Sequence, residues 1–294
     1  MSRLRLQQFY RRLVAAARRS AERRLILLWV VAIGVPTLLI ASPLYMLLAP
    51  HLNHSIDSAA LASKLDVRVL VDLPGIIFLF PEAIGAASIA SILIGFVMYA
   101  WLNGLAIGAS RCKPAASFSV LIAAANGQFW RMLRMGLWAL VPVGVALAIA
   151  NALGKSIEHA ETEAVVASSL DTARNLHTLL TLLLLAMAQC SVEVARTFLA
   201  IDPRRRSVVR SWWHGLGMLL RHPVALFGVW LVPSFLSVVL SAVLMLVRLN
   251  INQGSALGLI AAFLVAELIV AFMAWMRITK LYALIETVQE IRRS

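Results

Sequence analysis

Glu267 lies near the middle of an apolar run that extends from about 255 to 275. A carboxylate at that depth in a bilayer costs on the order of 2.5–3.5 kcal/mol on insertion scales. Two readings are open for it: a proton-coupled or gating group, or a protonated carboxyl hydrogen-bonded between helices that holds a bundle together. Glu193 and Arg196 stand three residues apart at the end of another apolar run, so they share one face of a helix. They suit an interfacial ion pair with the arginine snorkelling outward; the alternative is a gate or a headgroup contact. Asn103 and Gln189 add little more, so the apolar runs offer only a thin lining for a hydrophilic pore.

Patterns for covalent or metal chemistry are weak. Cys190 and Arg196 have the C-x5-R spacing of cysteine phosphatases, but the intervening SVEVA has no glycine and reads as helix, not as a loop whose amides cradle phosphate. Ser110-Arg111-Cys112-Lys113 spells S-x-x-K, with no S-D-N or K-T-G to complete an acyl-enzyme site. His51, His54, Glu158, His159 and His177 offer at most a weak zinc or copper site. H-E-x-x-H, a glycine-rich phosphate loop and G-x-S-x-G do not occur. The expectation is a non-enzymatic protein with no catalytic residues, no cofactor and no metal. Cys112 and Cys190 have neither zinc nor disulfide spacing and are expected to be reduced thiols.

The elements that must position these residues are membrane spans. The 294 residues are 61% hydrophobic and 14% charged, against about 25% charged in soluble domains. The apolar excess is gathered into runs near the roughly 20 residues needed to cross a bilayer. Six spans are expected, at about 25–48, 83–108, 135–153, 176–195, 224–247 and 255–275. The first is too long for the apolar core of a signal peptide and reads as a retained anchor. Residues 1–24 form a basic amphipathic helix suited to an anionic leaflet. Further amphipathic helices are expected at about 115–134 and 204–222. Between the first two spans, Pro74 and Pro81 bracket an apolar stretch too short to cross, which reads as an interfacial or re-entrant segment.

The net charge of +13 would suggest nucleic acid for a soluble protein. Its distribution gives a different answer. The N-terminal segment, the 110–134 and 196–222 loops and the tail hold 22 of the 27 basic residues. The three opposite loops hold five basic residues against eight acids. By the positive-inside rule both termini are cytoplasmic, and no nucleic acid is implied. A repeat of about 90 residues is also visible: Ser119, Val120 and Gly127 match Ser207, Val208 and Gly215, and Leu140-Val141-Pro142 matches Leu231-Val232-Pro233 after a short gap. The reading is an all-α single domain of three helical hairpins, each introduced by an amphipathic helix.

A span ending in E-V-A-R, a D-P-R-R-R-S turn (Glu193 to Ser207) and an amphipathic segment entering a proline-containing span resemble the uncharacterised six-helix bacterial inner-membrane proteins. They are also similar to the membrane domain attached to some glycerophosphodiester phosphodiesterases. The resemblance touches mainly residues 110–235. It implies six helices in a bacterial inner membrane, with no settled activity and no phosphodiesterase activity carried over. The expected function is an accessory or scaffold subunit. Its basic cytoplasmic face, with Arg204, Arg205, Arg206, Trp212 and Trp213, would bind anionic phospholipid, a membrane-protein partner or a second copy of the chain. The alternative is a permease for a small hydrophobic or lipid-like substrate that uses Glu267, with Glu193, Arg196 and Asn103 as further intramembrane polar residues.

Overall fold

A computed structural model describes residues 3–53, 81–112, 116–163, 167–202, 204, 207–252 and 254–293. Those residues form eight helices: α1 Arg3–Ser20, α2 Arg23–Asn53, α3 Pro81–Arg111, α4 Phe118–Glu163, α5 Ala167–Ile201, α6 Val208–Arg221, α7 Pro223–Leu249 and α8 Ala256–Ile291. Six of them, α2–α5, α7 and α8, are long and apolar enough to cross a membrane. The protein is an all-α, multi-pass membrane protein. The proposed re-entrant stretch, with Asp72 and Pro74, lies outside the described residues.

Each helix starts and stops for local reasons. The Ser207 hydroxyl caps α6 by accepting the Arg210 N–H at 3.3 Å, and Ser255 caps α8 by accepting the Gly258 N–H at 3.1 Å. Pro223 opens α7, where a missing N–H costs nothing. Prolines also lie inside α2 (Pro36, Pro43, Pro50), α4 (Pro142) and α7 (Pro233). Membrane helices accommodate them because neighbouring groups satisfy the freed carbonyls. Ser91 Oγ of α3 donates to the Pro36 carbonyl at 2.8 Å and ties α3 to α2 there.

Three expected boundaries are corrected. The segment at 115–134 is not a separate amphipathic helix but the first part of the unbroken 46-residue α4. The connection expected over 154–175 is largely helical as well, since α4 runs to Glu163 and α5 begins at Ala167. The helix of the sixth span does not stop near 275; α8 continues to Ile291. The extension is the most enclosed part of the helix, with Ile278, Leu281, Ala283, Leu284 and Val288 buried.

That extension is enclosed because α1 packs along it. Arg12 pairs with Glu290 at 2.5 Å and Arg19 with Glu286 at 2.8 Å. Deeper in, the Ser20 and Thr279 hydroxyls meet at 2.7 Å, and the Trp275 indole donates to the Ala17 carbonyl at 2.9 Å. The basic N-terminal helix is thus a strap across the end of α8, and both termini lie on one side of the bundle. Helices α2, α3, α5 and α7 also pack on α8. Among chain neighbours, α3 and α4 share the broadest contact.

Close approach of α3 to α4 depends on glycine. A Cβ on Gly108 would stand 2.5 Å from the Ala124 Cβ and 3.1 Å from the Ala124 carbonyl carbon. Gly215 of α6 is similar, with the Ala195 nitrogen 2.9 Å from its missing Cβ, whereas Gly127, its match in the apparent repeat, faces open space. Gly108→Ala should therefore push the helices apart and lower stability by about 1–3 kcal/mol. Gly34→Ala, where a Cβ meets no heavy atom within 4 Å, should leave stability unchanged or higher. Thermal melting of the two purified variants in one detergent checks this contrast.

Candidate functional site

Every residue of α5 from Cys190 to Ala200 is buried. Glu193 and Arg196 occur within that run, with their side chains only 4% exposed. Arg196 Nη1 donates to Glu193 Oε1 at 2.7 Å, so the i,i+3 pair read from the sequence does form. Its setting differs from the expectation. Arg196 does not snorkel to the interface, because α4, α6 and α8 pack around α5 and Tyr99 of α3 lies against the guanidinium.

Sequence reasoning missed the third member, Arg277, which it assigned to a solvated tail. Arg277 Nη2 donates to the same Glu193 oxygen at 2.9 Å and to Asn103 Oδ1 at 3.0 Å. Asn103 is held in turn by donating to the Tyr99 carbonyl at 2.6 Å. The Tyr99 ring receives both guanidiniums, Arg277 at 4.4 Å and Arg196 at 5.4 Å from its centroid. Lys280, one turn along α8 from Arg277, donates to Ser234 Oγ at 3.1 Å and lies 5.3 Å from the Trp230 ring centroid. Three cations thus gather around one carboxylate. The missed signal was helical periodicity, because Arg277 and Lys280 continue the i, i+3 spacing of a helix that does not stop.

Arg277 and Lys280 line a cavity of about 470 Å³ between α2, α3, α7 and α8. Its other walls are mostly apolar: Trp29, Pro36, Met98, Pro233 and Met273 among them. The charged end is at the side of the termini. The apolar walls run inward, since residues 256–276 of α8 span about 30 Å, the thickness of the hydrocarbon. Several buried donors here have no acceptor among the described residues: Arg196 Nε, Arg277 Nε, and the indole N–H groups of Trp29 and Trp230. Trp29 itself is part of the cavity wall. Unmet donors beside a cationic cavity call for an acceptor-rich, anionic group.

The other expected residues scatter. Glu267 is half-buried on α8, ten residues or about 15 Å before Arg277, with no hydrogen bond or ion pair to a described residue. Arg205 and Arg206 lie outside the described residues. Arg204 is exposed, and its N–H is accepted by Asp202 Oδ1 at 3.0 Å. The two tryptophans part company. Trp213 is 60% exposed, as an interface residue should be. Trp212 is not an outward-facing residue: its indole donates to Ser191 Oγ at 3.0 Å and packs edge-on against Trp138. It shares the inward face of α6 with Ser211, Gly215 and Leu219, and α6 is thereby fastened to α5.

The weaker patterns also resolve. Cys190 and Arg196 lie in one uninterrupted helix, so no phosphate loop separates them. Ser110 Oγ donates to the Ile107 carbonyl. A His177 ring nitrogen lies 2.8 Å from the Ala150 carbonyl oxygen, and no metal-ligating cluster occurs among the described residues. Both cysteines are free thiols. Compared with protein-family models, curated proteins and solved structures, the chain matches none.

Removing Glu193 strands two guanidiniums. Glu193→Leu should cost about 3–5 kcal/mol, the usual penalty for breaking a buried ion pair from one side. Trp212→Phe, which loses one neutral hydrogen bond, should cost about 1 kcal/mol. Melting curves in detergent should rank the two in that order; the reverse order would mean that the ion cluster does not hold the bundle.

Proposed function

We propose that the protein is a non-enzymatic, lipid-binding membrane protein that takes an anionic, lipid-like amphiphile from the bilayer into the cavity between α2, α3, α7 and α8. The observation that carries this reading is the pairing of Arg277 and Lys280 with an otherwise apolar cavity at the edge of the hydrocarbon. A lipid of the adjacent leaflet would bring its phosphate or carboxylate to those cations and lay its chain along Met273, Pro36 and Pro233. The binding group is already positioned, because Glu193 and Asn103 hold one nitrogen of the Arg277 guanidinium. This is a permease or lipid-presenting role at Arg277 and Lys280 rather than at Glu267, whose place on α8 is remote from them.

The charge asymmetry of the loops supports a bacterial inner membrane with cytoplasmic termini; on that reading the cavity belongs to the cytoplasmic leaflet, where anionic lipids meet basic residues. The outward face of α6, with Arg210, Trp213 and Leu220 exposed, favours a second, weaker contact of the same surface with that leaflet.

Native mass spectrometry of the protein released from mixed phosphatidylglycerol–phosphatidylcholine nanodiscs tests the proposal. The parent should retain phosphatidylglycerol in preference to phosphatidylcholine of equal chain length. Arg277→Gln with Lys280→Gln should reduce that retention at least tenfold, while Arg204→Gln with Arg205→Gln and Arg206→Gln should not. If the surface triple variant loses the lipid and the cavity variant keeps it, the binding site is the basic surface and the cavity reading fails.

A further inference from the structure

A second and larger cavity, about 860 Å³, opens at the face that carries both termini, between α1, α3, α5 and the end of α8. It lies on the opposite side of α8 from the first: Met273, Arg277 and Lys280 line one cavity, Tyr282, Glu286 and Gln289 the other. At about 100° per residue those two sets occupy opposite faces of the helix. The two spaces are therefore separate sites.

The charges in this cavity divide into those already engaged and those left over. Arg19 and Glu286 pair with each other. One nitrogen of Arg111 donates to the Ala200 carbonyl at the end of α5, leaving the rest of its guanidinium available. Arg18 and Glu22 both line the cavity, and neither has a side-chain partner among the described residues. Glu22 is half-buried and its Oε1 is fully enclosed without a donor. Tyr282, which faces Glu22 and Cys112, and Gln289 offer polar ends with no side-chain hydrogen bond to a described residue.

An anion alone would meet Arg18 and Arg111 but would also face the Glu22 carboxylate. A cation alone would satisfy Glu22 against two guanidiniums. Only a ligand carrying both signs matches the set. We infer that this cavity binds a zwitterion, with an ammonium group at Glu22 and a phosphate or carboxylate group at Arg18 and Arg111. The guanidinium fork suits either anion. The volume is within the range of small-molecule sites, and the alanines and isoleucines of the wall accommodate a short carbon skeleton. This inference stands independently of the lipid reading of the first cavity.

Cys112 lines the same space and is half-buried, whereas Cys190 is buried, so the chain carries its own reporter. The experiment uses the full chain in phosphatidylcholine nanodiscs, with O-phosphoethanolamine as the probe. Calorimetry should show saturable binding, and maleimide alkylation of Cys112 should slow at least fivefold, while phosphate alone and ethanolamine alone should do neither. Glu22→Gln and Arg18→Gln should each weaken binding at least tenfold. Both residues lack partners among the described residues, so both variants are expected to melt with the parent. If nanodiscs containing phosphatidylethanolamine protect Cys112 without added solute, the zwitterion is a lipid headgroup; if only the soluble probe protects, it is a solute. A folded parent that binds neither form, a Glu22→Gln variant that binds like the parent, or phosphate binding as tightly as phosphoethanolamine overturns the inference.

Discussion

Two guanidiniums from different helices share one oxygen of Glu193 at the packed centre of the bundle, Arg196 at 2.7 Å and Arg277 at 2.9 Å. Removing ions from water costs several kcal/mol each, and their attraction offsets that cost only where the geometry is good and further hydrogen bonds are made. Asn103 and the Tyr99 ring supply those further contacts from α3. The arrangement therefore ties α3, α5 and α8 to a single register. A slip of α8 by one turn, about 5.4 Å, would carry Arg277 away from both Glu193 and Asn103. Apolar membrane helices have little other reason to choose a register, since lipid tails are as apolar as leucine.

The close packing around the cluster follows from that constraint. Short side chains meet where the helices cross, Gly108 against Ala124 and Gly215 against Ala195, and bring backbones near enough to shut water out. Trp212 then fastens α6 to α5 through Ser191, two residues from Glu193. On the far side of α8, the strap α1 covers what would otherwise be a free helical end. Its arginines face Glu286 and Glu290, so the basic N-terminus has an acidic counterpart within the chain as well as any it finds in a lipid surface.

Much of the fold could be read from the sequence because the bilayer imposes a length scale. Runs of about 20 apolar residues are conspicuous, and six of them became helices able to cross. The Glu193–Arg196 pair was legible because it is local, three residues apart on one helix. Its burial was not, because burial depends on how α3, α6 and α8 assemble around it. Arg277 and Lys280 were misplaced for a related reason. After an apolar run, cations usually mark the exit into water, and nothing local distinguishes that ending from a helix that continues under cover. Trp212 and Trp213 show the same limit: adjacent tryptophans differ by about 100° around the helix, and only the partner surface decides which one faces inward. Arg18 and Glu22 stood in a basic segment read as one surface, and only the fold of α1 against α8 separates paired charges from unpaired ones.

The level of the cluster in the bilayer gives the two cavities different characters. Charge deep in hydrocarbon would have to be neutralised within the protein, as an isolated Glu267 must be accommodated by its own environment. Charge well outside would be screened by salt within about 8–10 Å. Arg277 and Lys280 lie between these regimes, at the end of the roughly 30 Å apolar part of α8. There water is partly excluded and the attraction to an anion is correspondingly stronger. Tyr282 and Glu286, one to two turns further on and facing the other way, border a space with a mixed polar and apolar wall. One helix thus presents Arg277 and Lys280 to a largely apolar cavity on one face, and Tyr282, Glu286 and Gln289 to the cavity at the terminal face on the other. The same Glu193 cluster that sets the register of α8 sets the position of both.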